Sequence, residues 1–384
     1  MKVIRHTSVL IMPLIIAGCV EKFIPSVVET QFNIVVNGLI TNQPEVYIVR
    51  LSWSIPLGIN TTVPLGGCDV KVHDDLGNSY QFAESSIPGT YLSDSTTFQG
   101  VVGRIYTLHI NTNNATPTHH SYQSLPVEMK AVPPIDSLYY EKVIIKESTL
   151  SSNVEEGCQI YLNTFDPGGT CRFYRWDYSE TWKFYTPYNP NNIYPNQICW
   201  ISNNSKNIEV KSTSSLSEDR LNRYPILFIS NLTDRLSTRY SIIVNQYSIS
   251  ENEFAYWEML EDISEDTGGL YDKIPFSIPG NMLCVEDPRE QVLGFFSVSS
   301  RTSKRIYIDE NFRGLVNLYR YCPDDTFRRD PNIPGRISGL NEYRWLIIDE
   351  YREKGYVWTT NERECVDCTV RGTTTRPEFW EDHK

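Results

Sequence analysis

Residues 47–53 read Tyr47-Ile48-Val49-Arg50-Leu51-Ser52-Trp53, and their pattern decides the fold class. Tyr47, Val49, Leu51 and Trp53 alternate with Ile48, Arg50, Ser52 and Ser54. A period of two puts successive side chains on opposite faces of a strand, one toward a core and one toward water. Cys68, Val70 and Val72 repeat the pattern, Asp74-Asp75-Leu76-Gly77-Asn78 supplies turn chemistry, and Tyr80 and Phe82 resume the alternation. That sequence of signals predicts a hairpin. Tyr106, Leu108 and Ile110 form a further strand. Turn signals every ten residues or so suggest a small β-sandwich over 31–132.

Toward the C-terminus, Val132-Pro133-Pro134-Ile135 marks a boundary, because two prolines hold the chain extended and donate nothing to a ladder. A second β-rich unit is expected over 133–312. Its Asp166-Pro167-Gly168-Gly169 is a turn. The strand after it carries Tyr174, Trp176, Tyr178, Trp182 and Phe184 as one aromatic stripe. Such a stripe can bind a sugar or a partner, but the inner face of a sandwich is the expectation. One helix interrupts the strands near 251–264. Ser250 and Glu253 have capping-box spacing, Phe254, Trp257, Leu260 and Ile263 recur every three residues, and Gly268-Gly269 ends the segment. The tail from 313 to 384 is turn-rich and expected to pack on the second unit. The expected fold is therefore mostly β: two consecutive sandwich-like domains of immunoglobulin or transthyretin type, a short inserted helix and a C-terminal extension.

Toward the N-terminus, Lys2 and Arg5 precede an apolar run from Val9 to Ala17, closed by Leu14-Ile15-Ile16-Ala17-Gly18-Cys19. A basic flank, a short apolar core and small residues at the cut describe a secretory signal over 1–18. The run falls short of the roughly 20 apolar residues that cross a membrane. A Cys directly after Ile-Ala-Gly resembles a bacterial lipobox, which implies acylation of Cys19, with 19–30 as a tether. Cleavage leaves 384 − 18 = 366 residues, enough for about two or three domains. The charge is 35 − 47 = −12, or 33 − 47 = −14 without Lys2 and Arg5. Such an acidic chain disfavours nucleic acid and direct adhesion to anionic lipid, so attachment falls to the acyl group.

Eight cysteines remain besides Cys19, an even number compatible with disulfides outside the cytoplasm. Cys365-x-x-Cys368 has three readings. A redox dithiol wants a βαβ setting, and a zinc site wants a second ligand pair at matching spacing; neither is present. The third is a structural disulfide from Cys365 or Cys368 to another cysteine, with Cys322 the leading partner. His119-His120 lies in a polar loop and reads as a solvated pair, since adjacent residues on an extended chain point apart. No metal set, cofactor motif, nucleophile elbow or phosphate loop occurs, so no catalytic residue is assigned and an enzyme is not expected. Asp94-Ser95-Thr96 and Asp136-Ser137-Leu138 resemble the O-glycosylation sequon of Bacteroidota, which points to Ser95 and Ser137.

A series of further segments carries a family resemblance. Asn37-Gly38-Leu39-Ile40-Thr41-Asn42, Gly100 to Leu108, Pro133-Pro134-Ile135-Asp136-Ser137-Leu138 and Tyr174-Arg175-Trp176 come first in chain order. Gln246-Tyr247-Ser248-Ile249-Ser250, Gly294-Phe295-Phe296-Ser297-Val298-Ser299 and Cys365 to Trp380 follow. Together they resemble the Bacteroidota family termed domain of unknown function 4249. That resemblance implies an outer-membrane lipoprotein, often encoded beside a TonB-dependent transporter, and it brings no catalytic residues. The role expected is an accessory or substrate-capture subunit of such a transporter, bound to its barrel and facing the cell surface rather than the periplasm. A structural subunit of an outer-membrane assembly or secretion complex, and an extracellular hydrolase, are the alternatives.

Overall fold

The computed structural model describes residues 33–55, 62–112, 119–146, 154–187, 195–266, 278–322, 325–328, 346–351, 356–360 and 363–382. The signal, Cys19 and the tether lie outside them, as do Gly268-Gly269 and His383.

Strands dominate. In chain order they are β1 (Ile34–Ile40), β2 (Ile48–Trp53), β3 (Val63–Pro64), β4 (Asp69–Asp74), β5 (Ser79–Glu84) and β6 (Thr90–Ser93). Next come β7 (Ile105–Asn111), β8 (Ser121–Ser124), β9 (Val127–Glu128), β10 (Ile135–Lys146), β11 (Glu155–Phe165) and β12 (Phe173–Tyr185). Then follow β13 (Ile198–Asn204), β14 (Glu209–Ser212), β15 (Arg220–Ile229) and β16 (Tyr240–Ser248), before the helix α1 (Glu251–Asp266). After it come β17 (Met282–Cys284), β18 (Leu293–Val298), β19 (Arg301–Ile308), β20 (Asp325–Arg328), β21 (Leu346–Tyr351) and β22 (Tyr356–Thr360).

The first unit corrects the expectation of a sandwich. Its strands form one 11-stranded sheet in the order β17-β8-β7-β4-β5-β6-β2-β1-β18, with β3 and β9 at its margins. The sheet curls around a single apolar core that includes Ile34, Val36, Val49, Val70, Tyr91, Leu108 and Phe296. Its two end strands, β17 and β18, come from one short stretch of chain, so the curl nearly closes. Asn281 fastens the seam: its Nδ2 donates to the Phe296 carbonyl, its Oδ1 accepts from the Phe296 N–H, and its own carbonyl accepts from Leu125 N–H. Glycine permits the close approach. A Cβ on Gly294 (φ +82°) would stand 1.9 Å from the Val36 carbonyl oxygen, and one on Gly280 1.5 Å from that of Gly294.

The expected boundary of the second unit is corrected in the same place. Residues 278–298, expected within 133–312, belong to the first sheet: β18 pairs in parallel with β1, Asn37 opposite Phe295, and β17 pairs with β8. Alternation identifies a strand but says nothing of its partner, so a return across most of the chain is invisible locally.

The second unit packs β10-β11-β15 against β13-β12-β16-β19. Ile160 and Leu162 from one sheet meet Tyr174, Trp176, Tyr240 and Val244 from the other in one core. The aromatic stripe is buried there: Tyr174 is 0% exposed, Trp176 1%, Phe184 2% and Trp182 6%. Two of its polar ends are paired, the Tyr174 hydroxyl donating to Asp219 Oδ1 (2.9 Å), while the buried Trp182 Nε1 has no hydrogen-bond partner. Trp176 Nε1 donates to Gln246 Oε1 (2.9 Å), and Gln246 Nε2 donates to the Pro133 carbonyl (2.9 Å).

The tail from 363 to 382 lies along this unit. Disulfides join Cys199 to Cys368 and Cys322 to Cys365. Trp200 and Thr373 exchange backbone hydrogen bonds, and the Trp380 ring meets Trp200 and Tyr307 edge-on.

Candidate functional site

Helix α1 starts where the two units meet. Ser250 Oγ accepts the Glu253 N–H (3.1 Å), the N-cap expected from the sequence. The reciprocal half of the capping box is not made. Glu253 turns inward instead, is 0% exposed, and accepts from Ser297 Oγ (2.6 Å) on β18 and Trp257 Nε1 (3.1 Å). Its Oε2 has no hydrogen-bond partner. Burial pushes this carboxyl above its ordinary range, partly offset by the charge of Arg175 on β12. The Arg175 guanidinium lies over the rings of Tyr247 and Trp257, 4.7 and 5.0 Å from their centroids. Tyr247, Ile249, Val210, Phe254, Trp257 and Leu39 form a small third cluster at this junction. The helix is thus fixed to both units by its inner face.

Its outer face borders a cleft of about 680 Å³. Phe173, Val210, Tyr224 and Phe254 supply apolar surface. Glu251, Glu258 and Glu261 line the helix side, and Lys211, Ser212, Ser214 and Ser215 the opposite side. Tyr224 is stiffened from behind by Trp176, whose ring lies 4.7 Å away. Carboxylates on the helix side, apolar surface, and hydroxyls with the Lys211 ammonium opposite suit a ligand that is basic or donor-rich toward the helix, carries an acceptor toward Lys211 and has an apolar part. The sequence showed the apolar repeat of α1 but not this acidic face, because the partners across the cleft lie about 40 residues earlier, at the range where local periodicity carries no information.

The other carboxylates with displaced pKa values serve the fold. Asp74 is held at about 2, where desolvation is overcome by N–H and side-chain donors of its own turn, and Asp367 likewise at about 2. Glu156 is lowered by the Arg313 side chain and backbone N–H. A separate buried carboxylate, Glu180, 4% exposed, serves packing by ion pairing: it accepts from Arg235 (3.0 Å) and from the Tyr240 hydroxyl (2.8 Å).

Of the expected modification positions, Ser95 sits in an exposed turn whose Asp94 side chain accepts from Thr96 N–H and Oγ1. Ser137 is half-buried on β10, and its hydroxyl accepts from Asn163 Nδ2 (2.8 Å). His120 corrects the expectation of a solvated doublet: Nδ1 lies 2.6 Å from Glu290 Oε2, and its side chain is 21% exposed. Among the described residues, His120, Cys284 and Glu290 alone bring three metal-ligating groups together, their ligand atoms all within 4.8 Å of one another. The sequence carried a partial signal for this, Cys284-Val285-Glu286-Asp287-Pro288-Arg289-Glu290, with four possible ligands in one short segment.

The family model described as domain of unknown function (DUF4249) matches residues 20–305, and the chain belongs to that family. None of the curated proteins matches it.

Proposed function

We propose that this family member is a lipid-anchored outer-membrane protein that serves a TonB-dependent transporter as an accessory or substrate-capture subunit. The cleft beside α1 is the place where it meets the transporter's barrel or the cargo. One observation carries the reading. α1 is clamped at the junction of the two units by Glu253, Trp257 and Ser297, so its outer face offers a pre-formed acidic recess with little left to order on binding. The lipobox-like Leu14 to Cys19 supports the anchor, and the acidic balance of the chain leaves membrane attachment to it. The cleft does not favour the hydrolase alternative. Its three carboxylates all come from the helix wall, whereas glycoside hydrolysis needs two that flank the scissile bond.

A tagged copy purified from native membranes in mild detergent is expected to bring down a large outer-membrane barrel, since permanent interfaces commonly bury about 2,000 Å² or more. Glu258→Lys with Ala255→Trp, which inverts a charge and fills the cleft, should cut that recovery about tenfold or more, about 1.4 kcal/mol in affinity. Cys19→Ala should release the protein from membranes. No barrel enriched over an untagged control would overturn the transporter reading, and unchanged retention of Cys19→Ala would overturn the anchor.

A further inference from the structure

The seam of the first sheet holds a second chemistry. His120 stands just before β8, Cys284 ends β17, and Glu290 lies in the turn that leads to β18. Each is held in place. Thr112 donates to the His120 carbonyl through both its N–H (3.1 Å) and its hydroxyl (2.9 Å). The Tyr122 hydroxyl donates to Glu290 Oε1 (2.6 Å), which leaves Oε2 turned to His120. The Asp287 N–H donates to Cys284 Sγ (3.4 Å) and fixes the sulfur in place, while burial and the Glu290 carboxylate hold the metal-free thiol above its ordinary range. Glu286 Oε2 lies 3.8 Å from the same sulfur and accepts from Ser121 N–H. Cys284 is 2% exposed, while His120 and Glu290 remain about one-fifth open to solvent. The corner is therefore rich in negative charge, has a soft ligand at its base, and is reachable from outside.

We propose that His120, Cys284 and Glu290 bind one zinc ion. Zinc prefers imidazole, thiolate and carboxylate in tetrahedral array, and three protein ligands leave a fourth position for water. Bonds of about 2.0–2.2 Å to N and O put ligand atoms roughly 3.3 Å apart. His120 Nδ1 and Glu290 Oε2, now at 2.6 Å, part by about 0.7 Å to admit the ion, a small rotation of two half-buried side chains. Coordination is a substitution at sulfur: the S–H bond breaks, its proton leaves to solvent, and a Zn–S bond forms. Tyr122 and Glu286 are positioning residues, Tyr122 through Glu290 and Glu286 behind the thiol. The ion would tie β8, β17 and the 285–292 turn together where the sheet closes.

The test uses the full chain purified in detergent, stripped with chelator and titrated with zinc against a chromophoric competitor, then with cobalt as a spectroscopic stand-in. One equivalent of zinc is expected, not displaced by magnesium or calcium. Cobalt should give the visible bands of a tetrahedral site and a near-ultraviolet thiolate charge-transfer band. Cys284→Ala abolishes that band, His120→Gln weakens binding about 100-fold or more, and Tyr122→Phe, which keeps the buried ring, weakens it about 10–100-fold. Cys68→Ser, a free thiol elsewhere, leaves everything unchanged. Absence of a stoichiometric zinc site, or a cobalt band that persists in Cys284→Ala, would overturn the proposal. Circular dichroism checks each variant, and Tyr122→Phe decides should Cys284→Ala not fold.

Discussion

The two units solve the same problem, closing a β core, by different means. The first sheet curls on itself around a single core of aliphatic and aromatic residues and is sealed by the returning strand β18 and the side chain of Asn281. The second packs two separate sheets face to face, buries the polar groups Glu180, Asp219 and Gln246 in its core, and carries two covalent clips. A curled sheet whose two end strands nearly meet leaves little edge open, held at the gap by the Asn281 side chain and a single bridge from Pro279 to Leu293. Two facing sheets with a 20-residue tail along one flank gain more from cross-links.

That contrast can be broken most forcefully at the clips. The Cys199–Cys368 bridge spans 169 residues, and the Cys322–Cys365 bridge, spanning 43, lies inside it. On the chain-entropy account the larger ring contributes about 5 kcal/mol, less with the smaller one already closed. Cys199→Ala with Cys368→Ala should therefore lower the denaturant midpoint of the second unit, read by the fluorescence of Trp176, Trp182 and Trp200. Protection of the amides of β1 and β2 against exchange should stay. Equal loss in both units would show that they unfold as one and that the contrast is only geometric.

Next in size is Phe296→Ala. Phe296 is fully buried in the first core, and its backbone is held by Asn281. Truncation should cost about 3–5 kcal/mol and expose β1 and β18 to hydrogen exchange before any other strands. If β10 to β16 lose protection first, the seam is not what closes the first unit.

The smallest effect sharpens the junction between them. A buried acid with a raised pKa keeps its proton in the folded state at pH values where the unfolded chain has released it. Glu253 is such a group, so its contribution to stability is greatest below the ordinary carboxylate range and falls as pH rises from there toward its raised value. Glu253→Gln should remove that downward slope, leaving stability flatter with pH and slightly higher near neutrality. An unchanged pH profile by thermal denaturation would show that Glu253 ionises as freely folded as unfolded.

The strands themselves were legible. Tyr47 to Trp53, the hairpin around Asp74 to Asn78, Tyr106 to Ile110, Tyr174 to Phe184 and the helix after Ser250 all fall where period and capping put them. Pairing was not legible. Asn37-Gly38-Leu39 and Phe295-Phe296-Ser297 are both strand-like, but only the folded chain sets them side by side. Trp176 and Gln246 are likewise 70 residues apart and bonded. The candidate sites failed to show for the same reason: the cleft takes its walls from α1 and from residues before β15, and His120 meets Glu290 across 170 residues. Local chemistry reaches only as far as local structure.

The returning strand also sets an order in time. Synthesis runs from the N-terminus, so β1 with Ile34, Val36 and Ile40 exists long before β18 can cover its edge. Gln43, just beyond β1, bonds the Arg301 carbonyl across 258 residues. At about 5–20 residues per second, that interval lasts roughly ten seconds or more, with an apolar strand edge unpaired throughout. Non-local pairing of this kind slows folding and exposes the nascent chain to wrong partners. The first third of this polypeptide is consequently not an autonomous module: cut at residue 133, it would lack both strands that meet at its seam.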